Sequence, residues 1–450
     1  MKARAGFLAF FCLLAPAFLY SPPAKAGPFE LLGTGPDGIA EVGARAARAD
    51  DGSAAFYNPS GLAFGTGLRL RAAPIFGVRA LSVQGQRRSL ENPFGMAFAF
   101  DATVPLEAPL HSKIRIGFQA YLMPSSALHF IVKRSDEPQF PYYDNRSQRL
   151  ALLPAIALRL HKSFSAGAAL NVLGGVTGNA DVRPGVSKAP EPRILVEAQT
   201  KAALHLGLRC QLSPHVALAL AYRQRFSVPA QLLTQAEIGG VPMRVNVEAR
   251  EALFDPHTLV LATSMVLNKL TIELNAAYMR WSDYAGPLVD VSAALPGVSI
   301  ASRPPPPLFR DIISSRLAGA YPISFRLGKK EAQFISRAGL GFEPSILKGR
   351  RQGHSNFVDG HKTMMGLGAE LEIQKLFALK ALRIALGAGG QVLGETQSQK
   401  LVCQAAPCED SSVFGADAQH PGENIQNPGY PRLSAGGSFW SFSLALGADL

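Results

Sequence analysis

The sequence predicts an all-β protein, an antiparallel transmembrane β-barrel of about 14 strands with an N-terminal plug inside its lumen. The first reason is composition, because 47% of the 450 residues are hydrophobic and only 17% are charged. The second is that no segment after the N-terminus supplies the roughly 20 consecutive apolar residues of a transmembrane helix. The third is a regular alternation of apolar residues with small or polar ones. These observations exclude a helical membrane protein and disfavour an ordinary cytosolic enzyme.

Residues 1–26 are predicted to be a secretory signal peptide. Lys2 and Arg4 precede a short apolar core from Phe7 to Leu19, and Ala24-Lys25-Ala26 forms a cleavage site of the A-x-A type. The core is too short to span a bilayer, so a retained membrane anchor is the less favoured alternative. We therefore expect an exported chain.

Residues 27–66 lack the alternation and are predicted to form a plug, or hatch, ahead of a barrel that occupies residues 67–450. The segment is rich in small residues, and Ile39, Val42 and Ala46 have helical spacing. A barrel of this size has a lumen wide enough to need a plug.

The barrel strands are indicated by a period of two residues. In the segment 201–212, Leu204, Leu206 and Leu208 share one face, whereas His205 and Arg209 lie on the other. The segments 164–173, 270–281 and 440–450 alternate in the same way. A soluble β-sandwich is the alternative, but it would not need such a run to reach the final residue. Fourteen strands are predicted, near 67–77, 93–103, 113–123, 149–161, 163–175, 197–212, 215–227, 257–267, 269–281, 309–322, 333–345, 361–374, 381–393 and 438–449.

Short and long connections also alternate along the chain. The short ones include the segments LHKSF, LSPHV and VLNKL. The long ones are rich in Pro, Gly and charge, and they lie near 124–148, 176–194, 230–243, 282–308, 347–359 and 394–436. Short turns at one end and long loops at the other, with an even number of strands, are typical of bacterial outer-membrane barrels.

The net charge of +12 limits the partners. Nucleic acid is disfavoured because no run of Lys or Arg exceeds two residues and no basic helix carries interleaved aromatics. Outer-membrane lipid and lipopolysaccharide around the barrel, or a carboxylate ligand inside it, suit an exported basic chain better. We expect hydrophobic small molecules as ligands, a monomer, no cofactor and no metal.

Three cysteines lie beyond the signal peptide. Cys403 and Cys408 are close in sequence, so a disulfide that closes a small loop is plausible in an oxidising compartment. Cys210 stands alone in an apolar strand pattern and is expected to be inert.

The N-terminal segment resembles the start of the FadL family of outer-membrane long-chain fatty acid transporters. The resemblance is carried by Gly43, the run Ala49-Asp50-Asp51, and the run from Ala54 to Ala63, which reads AAFYNPSGLA. It continues weakly along most of the chain through several strand pairs in the expected order. The sequence departs from the family pattern at Ser60, where Ala is usual, and at Leu450, where such barrels often end in an aromatic residue.

The resemblance implies a barrel of 14 strands whose N-terminal segment folds inside it as a hatch. It also implies that hydrophobic ligands enter from outside, pass beneath the hatch and leave sideways through an opening at a kink in strand 3. Pro124, which follows the third predicted strand, is the candidate for that opening, although a plain strand end explains it equally well. The hatch residues expected to bind ligand or gate the lumen are Phe56, Tyr57, Asn58, Pro59, Ser60 and Gly61.

A fatty acid needs an apolar slot with one or two cationic groups for its carboxylate. The faces of the predicted strands place several cations in the lumen, among which Arg115, Arg223, Arg225 and Arg337 are the candidates for ligand binding. Arg223 and Arg225 are favoured because two cations share one face of the segment AYRQRF. The alternative is that each of these cations belongs to an ion pair that fills a polar barrel interior.

The function expected from the sequence is passive uptake of long-chain fatty acids or other hydrophobic molecules, with no enzymatic activity. A second hypothesis is a barrel that does not transport and instead serves as a surface-protein shuttle or assembly factor through its loops, the 394–436 loop above all. An outer-membrane lipase is a third hypothesis, but no Ser and His pair of the required kind stands out.

Overall fold

The computed structural model describes most of the chain from Phe29 onward. The described ranges are 29–88, 92–107, 113–123, 138–143, 150–184, 190–238, 241–286, 289–295, 298–302, 309–348, 356–376, 378–399 and 432–450. Within these ranges, none of the helices has the length and apolar character required to cross a bilayer. The predicted signal peptide, Pro124, Cys403 and Cys408 lie outside the described residues.

Short helices come first, and strands make up almost all of the rest. The helices are α1 (Phe29–Leu32), α2 (Pro36–Ala40), α3 (Ala54–Tyr57) and two 3-10 helices, Pro59–Phe64 and Trp281–Asp283. The strands are β1 (Arg69–Val83), β2 (Gln86–Arg87), β3 (Phe94–Thr103), β4 (Ile114–Leu122), β5 (Ala151–His161), β6 (Phe164–Pro184), β7 (Pro190–Ser213), β8 (Val216–Arg223), β9 (Phe226–Ile238), β10 (Val241–Asp255), β11 (His257–Leu267), β12 (Leu270–Arg280), β13 (Val289–Leu295), β14 (Val298–Ser302), β15 (Ile312–Leu327), β16 (Lys330–Glu343), β17 (Lys362–Gln374), β18 (Ala381–Gln399) and β19 (Arg432–Asp449).

Fourteen of these strands close into one antiparallel barrel. The circuit runs through β1, β3, β4, β5, β6, β7, β8, β11, β12, β15, β16, β17, β18 and β19. It closes where β1 pairs with β19, from Arg69 opposite Asp449 to Val83 opposite Ala435. The predicted fold class and strand number are therefore confirmed.

The other five strands correct the sequence interpretation of the loops. Residues 176–194, predicted as a loop, lie largely in extensions of β6 and β7 that stay paired as far as Pro184 and Pro190. The predicted loops 230–243 and 282–308 include most of β9, the start of β10, and all of β13 and β14. These strands pair with one another outside the barrel circuit, and β9 also pairs with the extension of β6. The prediction failed here because a hairpin that projects into water needs no lipid-facing apolar side, so the alternation fades while backbone pairing continues.

The barrel has a polar interior and an apolar exterior, the reverse of a soluble protein. Large apolar side chains stand exposed on the outer face, for example Ile313 at 60%, Leu340 at 62% and Leu367 at 69%. Charged and polar side chains are buried on the inner face, including Arg115, Gln119, His205, Glu273, Asn275, Lys362 and Glu370. This distribution is the one that a bilayer requires of a barrel.

The two ends of the barrel differ. At one end, called here the short-turn end, tight turns such as 161–164, 213–216 and 267–270 join neighbouring strands. At the other, called the long-loop end, strands are joined by segments such as 122–151 and 399–432. The chain enters β1 from the short-turn end, so residues 65–68 fasten the hatch to the wall there.

Residues 29–64, the hatch as described, lie inside the barrel. Almost all of their side chains are buried, and Leu32, Ala47, Ala55 and Leu62 have no exposed surface. The first barrel strand begins at Arg69. Because the wall closes through its own hydrogen bonds, it does not need the hatch to satisfy its backbone.

Deletion of residues 27–63 should therefore leave a folded barrel. The wall charges that face the hatch would meet water in a wider lumen, which solvates them. We expect a purified variant that keeps the heat-dependent gel mobility of a folded barrel and conducts ions in a planar bilayer far better than the full chain. A deletion variant that no longer assembles would contradict this view of the hatch.

Candidate functional site

The hatch contacts two separate parts of the wall, and glycines make both contacts close. The helix α2 packs against β16 to β19, where the backbone of Pro36 lies so near Gly387 that any side chain there would collide with it. The 3-10 helix Pro59–Phe64 packs against β4 to β7, with the peptide between Pro59 and Ser60 pressed onto Gly167. A glycine in a strand is typical of such close backbone approach.

Asn58 joins two parts of the hatch to the wall. Its side-chain Nδ2 donates to the carbonyl of Ala46 (2.9 Å) and to the carbonyl of Leu208 on β7 (3.2 Å). Its Oδ1 accepts from the backbone N–H (3.2 Å) and the hydroxyl (2.7 Å) of Ser60. Ser165 on β6 in turn donates to the carbonyl of Ser60 at 2.9 Å. The hydroxyl of Ser60, where the family pattern has Ala, thus adds a hydrogen bond to this junction.

Phe56 and Tyr57 border a small cavity between the hatch and the long-loop end. The ring of Phe56 lies 5.3 Å from that of Phe29 and 5.2 Å from that of Tyr57, centroid to centroid. The cavity has a volume of about 40 Å³, and wall residues such as Met364 and Phe439 complete its lining. Ligand pockets for molecules of drug size usually measure about 300–1,000 Å³, so this conformation is closed.

Ion pairs fasten the side of the hatch that faces the short-turn end. Asp37 binds Arg71 on β1, with the shorter contact 2.6 Å. Glu41 binds Arg48 at 3.0 Å and Arg337 on β16 at 3.1 Å. These pairs adjoin a polar cavity of about 180 Å³. The hatch is thus held by paired charges as well as by backbone contact.

The charges around the hatch acids keep them ionised. Burial alone would raise the pKa of Asp37, but Arg71, Arg337 and Arg45 outweigh it and hold the pKa well below its usual range. Burial likewise opposes ionisation of Glu41 and Asp51, yet neighbouring arginines lower the pKa of both carboxyls. The docked hatch therefore favours the carboxylate form.

Two of the predicted lumen cations, Arg115 and Arg337, lie where the hatch is anchored. Arg115 contacts Asp101, donates to Thr103 Oγ1 at 2.5 Å and donates to the carbonyl of Gly67 at 3.1 Å, so it holds the link from hatch to barrel. Arg337 lies 3.1 Å from Glu41 and 3.3 Å from Glu370. Their role in ligand binding stays a prediction.

The other two, Arg223 and Arg225, lie nearer the long-loop end. The guanidinium of Arg223 lies 3.0 Å from Glu30 of the hatch and 4.6 Å from the centre of the Phe56 ring. Arg225 donates to Glu251 at 3.2 Å and stands over Phe254. Both cations face the lumen, as the sequence predicts, and each pairs with an acid. Their role in ligand binding also stays a prediction.

The segment 138–143, called here the lumen cap, contacts wall residues that line the cavity, among them Gln391 and Phe439. It belongs to the connection between β4 and β5 but lies against the opposite wall. Gln139 exchanges backbone hydrogen bonds with residues 356 and 358, at 2.9 and 2.8 Å. Tyr143 donates to Gln391 on β18 at 3.1 Å, and the ammonium of Lys362 lies 4.1 Å from the ring of Tyr142. The cap thus bridges the connection between β4 and β5 to the wall around β18.

The described wall has interrupted ladders beside the hatch, one between β5 and β6 at Leu153 and Pro154 and one between β1 and β19. The β1–β19 ladder has no pairs at Ala73 and Pro74, because proline lacks the N–H that a ladder requires. On the outer face, close to this seam, an apolar groove of about 440 Å³ is lined by residues that include Leu70, Phe98 and Phe100. Within the described ranges, no group of His, Cys, Asp and Glu side chains could hold a metal ion.

Comparison with solved structures decides the fold. A Pseudomonas aeruginosa FadL homologue matches with a TM-score of 0.59 and 13% identity, over 95% of this chain and 99% of its own. The chain has the fold of FadL-type barrels. The CymD monoaromatic hydrocarbon channel (TM-score 0.54, 13% identity, 94% of this chain, 99% of its own) and the P. putida toluene transporter TodX (0.54, 12%, 93%, 99%) share it. No family model and no curated protein matches the sequence.

The sequence reasoning missed three parts of this site. It did not identify Glu30 as the partner of Arg223, the lumen cap, or the glycines beneath the hatch. Glycines do recur on the lumen face of several strands, for example at Gly167 and Gly207, and that pattern is a usable signal of close backbone approach. Glu30 and the cap carry no local signal, because their partners are far away in sequence.

Gly167→Ala should displace the hatch with a single methyl group. The new Cβ would collide with the backbone of Pro59 and Ser60, which cannot rotate away. Overpacking of this kind usually costs about 1–3 kcal/mol. We expect higher ion conductance from a barrel that still folds. Gly319→Ala is the matched control, because a Cβ there meets its nearest atom only at 3.8 Å. Equal conductance of the two variants would refute the close contact.

The lowered pKa values of the hatch carboxyls predict the pH below which acid releases the hatch. Carboxyls whose pKa is lowered on docking stabilise the docked state fully above their undocked pKa of about 4, and this contribution is lost as the pH falls through the docked values. Conductance should stay low from about pH 8 to pH 5 and rise only below about pH 4. The variant that lacks residues 27–63 should show no such step. A rise between pH 7 and pH 5 that depends on the hatch would contradict the lowered pKa values.

Proposed function

We propose that the protein is an outer-membrane channel for the passive uptake of hydrophobic small molecules, fatty acids among them, and that the hatch gates it. The short-turn end faces the periplasm and the long-loop end faces the cell exterior. Support comes from the closed barrel, its apolar belt and the plugged lumen. The matched structures CymD, a monoaromatic hydrocarbon channel, and TodX, a toluene transporter, agree with this class of ligand.

One contact carries the proposal, the ion pair between Glu30 and Arg223. Glu30, on the first helix of the hatch, pairs with the buried guanidinium of Arg223, which lies over the ring of Phe56. Glu30 and Phe56 also line the small cavity described above. The carboxylate of a fatty acid has the same charge and the same geometry toward a guanidinium. A ligand can therefore take the place of Glu30.

Exchange of the two carboxylates explains how a closed lumen opens. A buried cation strongly disfavours the loss of its partner, but replacement by another carboxylate keeps the cation paired. Once Glu30 is displaced, α1 loses its pair with Arg223, and Phe29 can leave the cavity with it. The 40 Å³ space then widens along the apolar residues of the hatch, which makes room for the tail of the ligand.

The seam between β1 and β19 offers a lateral exit. Pro74 interrupts the ladder, and the inward-facing neighbour Ala73 is small and lies next to Gly35 of the hatch. The apolar groove on the outer face lies nearby, so a hydrophobic molecule that leaves there would enter an apolar surrounding directly. Pro124, the exit expected from the sequence, lies outside the described residues and remains a second candidate.

Uptake by cells tests the proposal. A Gram-negative host that lacks its own long-chain fatty acid uptake would express the full chain, and the rates for radiolabelled oleate and toluene would be measured. We expect both to exceed those of a host with an empty vector. Rates equal to that control for every hydrophobic compound tested would reject transport and favour the alternative role as a surface-protein shuttle.

The paired change Arg223→Ala and Arg225→Ala should weaken binding of a fatty acid but not of a hydrocarbon. Hydrogen bonds to a charged group contribute about 1.5–3 kcal/mol, so oleate affinity should fall roughly 10-fold or more. Toluene affinity should stay the same because no charge is involved. Arg326→Ala, which removes an exposed arginine of β15, is the control.

Glu30→Gln provides the complementary measurement. Loss of the competing charge should raise the affinity for oleate and leave that for toluene unchanged, as measured with the purified chain in detergent. If oleate binds equally well before and after both the arginine changes and Glu30→Gln, Arg223 has no part in the ligand site.

A further inference from the structure

Among the described residues, two arginines near the short-turn end have no acid within ion-pair distance, unlike the cations that fasten the hatch. Arg159 lies on β5 and Arg209 on β7, and both are paired in register with Ser165 on the strand between them. They therefore stand in one row on the lumen wall. The guanidinium carbons lie 4.7 and 4.2 Å from the ring centre of Phe64, so both cations contact the same ring.

The polar atoms of these arginines are poorly satisfied by the protein. Arg159 Nε, Arg209 Nε and Arg209 Nη1 are shielded from water and meet no acceptor within the described residues. The nearest partner of Arg209 is Gln211, at 3.4 Å. Over the same part of the chain, no carboxylate oxygen lies within 4.0 Å of either guanidinium.

The acids whose charge reaches Arg209 are already engaged elsewhere. These are Asp50 and Glu273. Asp50 pairs with Arg69 at 3.2 Å, and Glu273 pairs with Arg48 at 3.0 Å. Two shielded guanidiniums beside one another repel, and an oxyanion between them would relieve that repulsion and accept the free N–H groups.

The row lies directly beyond the hatch on the route to the periplasm. On β7 and β8, Arg209 stands opposite Ala219, four residues from Arg223 and thus roughly 13 Å nearer the short-turn end. The hatch contact at Gly207, where Asn58 and Ser60 press on the wall, lies between the two cations. A ligand that passes this contact, rather than leaving through the seam between β1 and β19, meets Arg159 and Arg209 next.

We propose that Arg159 and Arg209 form an oxyanion clamp at the periplasmic mouth of the lumen, which binds the carboxylate or phosphate of an amphiphilic molecule on its way past the hatch. This inference rests on the proposed function when the oxyanion is the carboxylate of a transported fatty acid. The phosphate of a phospholipid is the other source of the same chemistry. Phe64 forms the floor of the clamp and contributes no hydrogen bond.

Uptake of a matched pair of molecules tests the clamp. Oleate and oleyl alcohol share the hydrocarbon chain and differ in charge. We expect Arg159→Gln with Arg209→Gln to lower the ratio of oleate to oleyl alcohol uptake roughly 10-fold, the factor expected for one charge-assisted site. Arg159→Lys with Arg209→Lys should restore part of the ratio. Arg326→Gln, at the same end of the barrel, should leave it unchanged.

Native mass spectrometry of the purified full chain identifies the source of the oxyanion. The chain would be incubated with oleate and with phosphatidylglycerol, and retention compared between wild type and the Gln double variant. Loss of oleate assigns the clamp to the transported carboxylate, and loss of phosphatidylglycerol assigns it to a lipid phosphate. Retention of both, with an uptake ratio that is unchanged or with both rates reduced in parallel, would overturn the clamp.

The same experiments separate this proposal from the transport function. If wild type takes up neither oleate nor oleyl alcohol, the proposed function fails, while the mass-spectrometric comparison still decides whether the clamp binds an oxyanion. If wild type takes up both and the Gln double variant shows the wild-type ratio and retains both anions, the transport function stands and the clamp is wrong.

Discussion

The structure depends on one constraint, that a bilayer offers no water to hydrogen-bond an unpaired backbone. A sheet that spans it must close, and here the closing ladder joins β1 to β19 from residue 69 to residue 83. Closure fixes the radius of the wall, and the pleat then sends alternate side chains to lipid and to lumen. An apolar outer face is therefore obligatory, whereas the inner face is free to carry charge. The hatch and its cavities follow from that freedom.

The hatch is held by contacts suited to a removable part. Apolar packing alone would favour a permanent plug, but Asp37 and Glu41 also bind wall arginines through ion pairs. The removal of one partner from a buried pair is costly, while exchange for another anion is much less so. Under the proposed function, a lumen lined with arginines would resist spontaneous opening and still allow a carboxylate ligand to replace a carboxylate of the hatch. The glycines beneath α2 and the 3-10 helix contribute shape complementarity in addition to these ion pairs, because they let the hatch backbone approach the wall backbone closely.

The barrel can be predicted from the sequence alone, because the alternation of apolar and polar residues is a local signal. Leu204 and His205 fall on opposite faces by the period of two, and the structure places His205 in the lumen with no exposed surface. The site is less accessible to such reasoning. Arg223 can be assigned to the lumen from its strand, but its partner Glu30 lies far away in sequence. The sequence predicts a loop where β6 and β7 extend as a hairpin, because polar residues occur on both faces of that hairpin. Neither a partner that is distant in sequence nor a hairpin outside the bilayer produces a periodic pattern in the sequence.

The cations along one wall differ in which acid, if any, pairs with them. This difference follows their order from the long-loop end to the short-turn end. At the long-loop end Arg225 pairs with Glu251, an acid between the barrel strands β8 and β11, so a ligand gains little by competing there. Arg223 comes next and pairs with Glu30, an acid of the hatch, so its partner can leave together with the hatch. Arg209 and Arg159 come last and have no acid within ion-pair distance among the described residues. A carboxylate that moves from Arg225 toward Arg209 thus meets progressively weaker competition. Under the proposed function, such a gradient would favour entry of an amphiphile without any input of energy, with the Asn58–Ser60 junction between the last two positions.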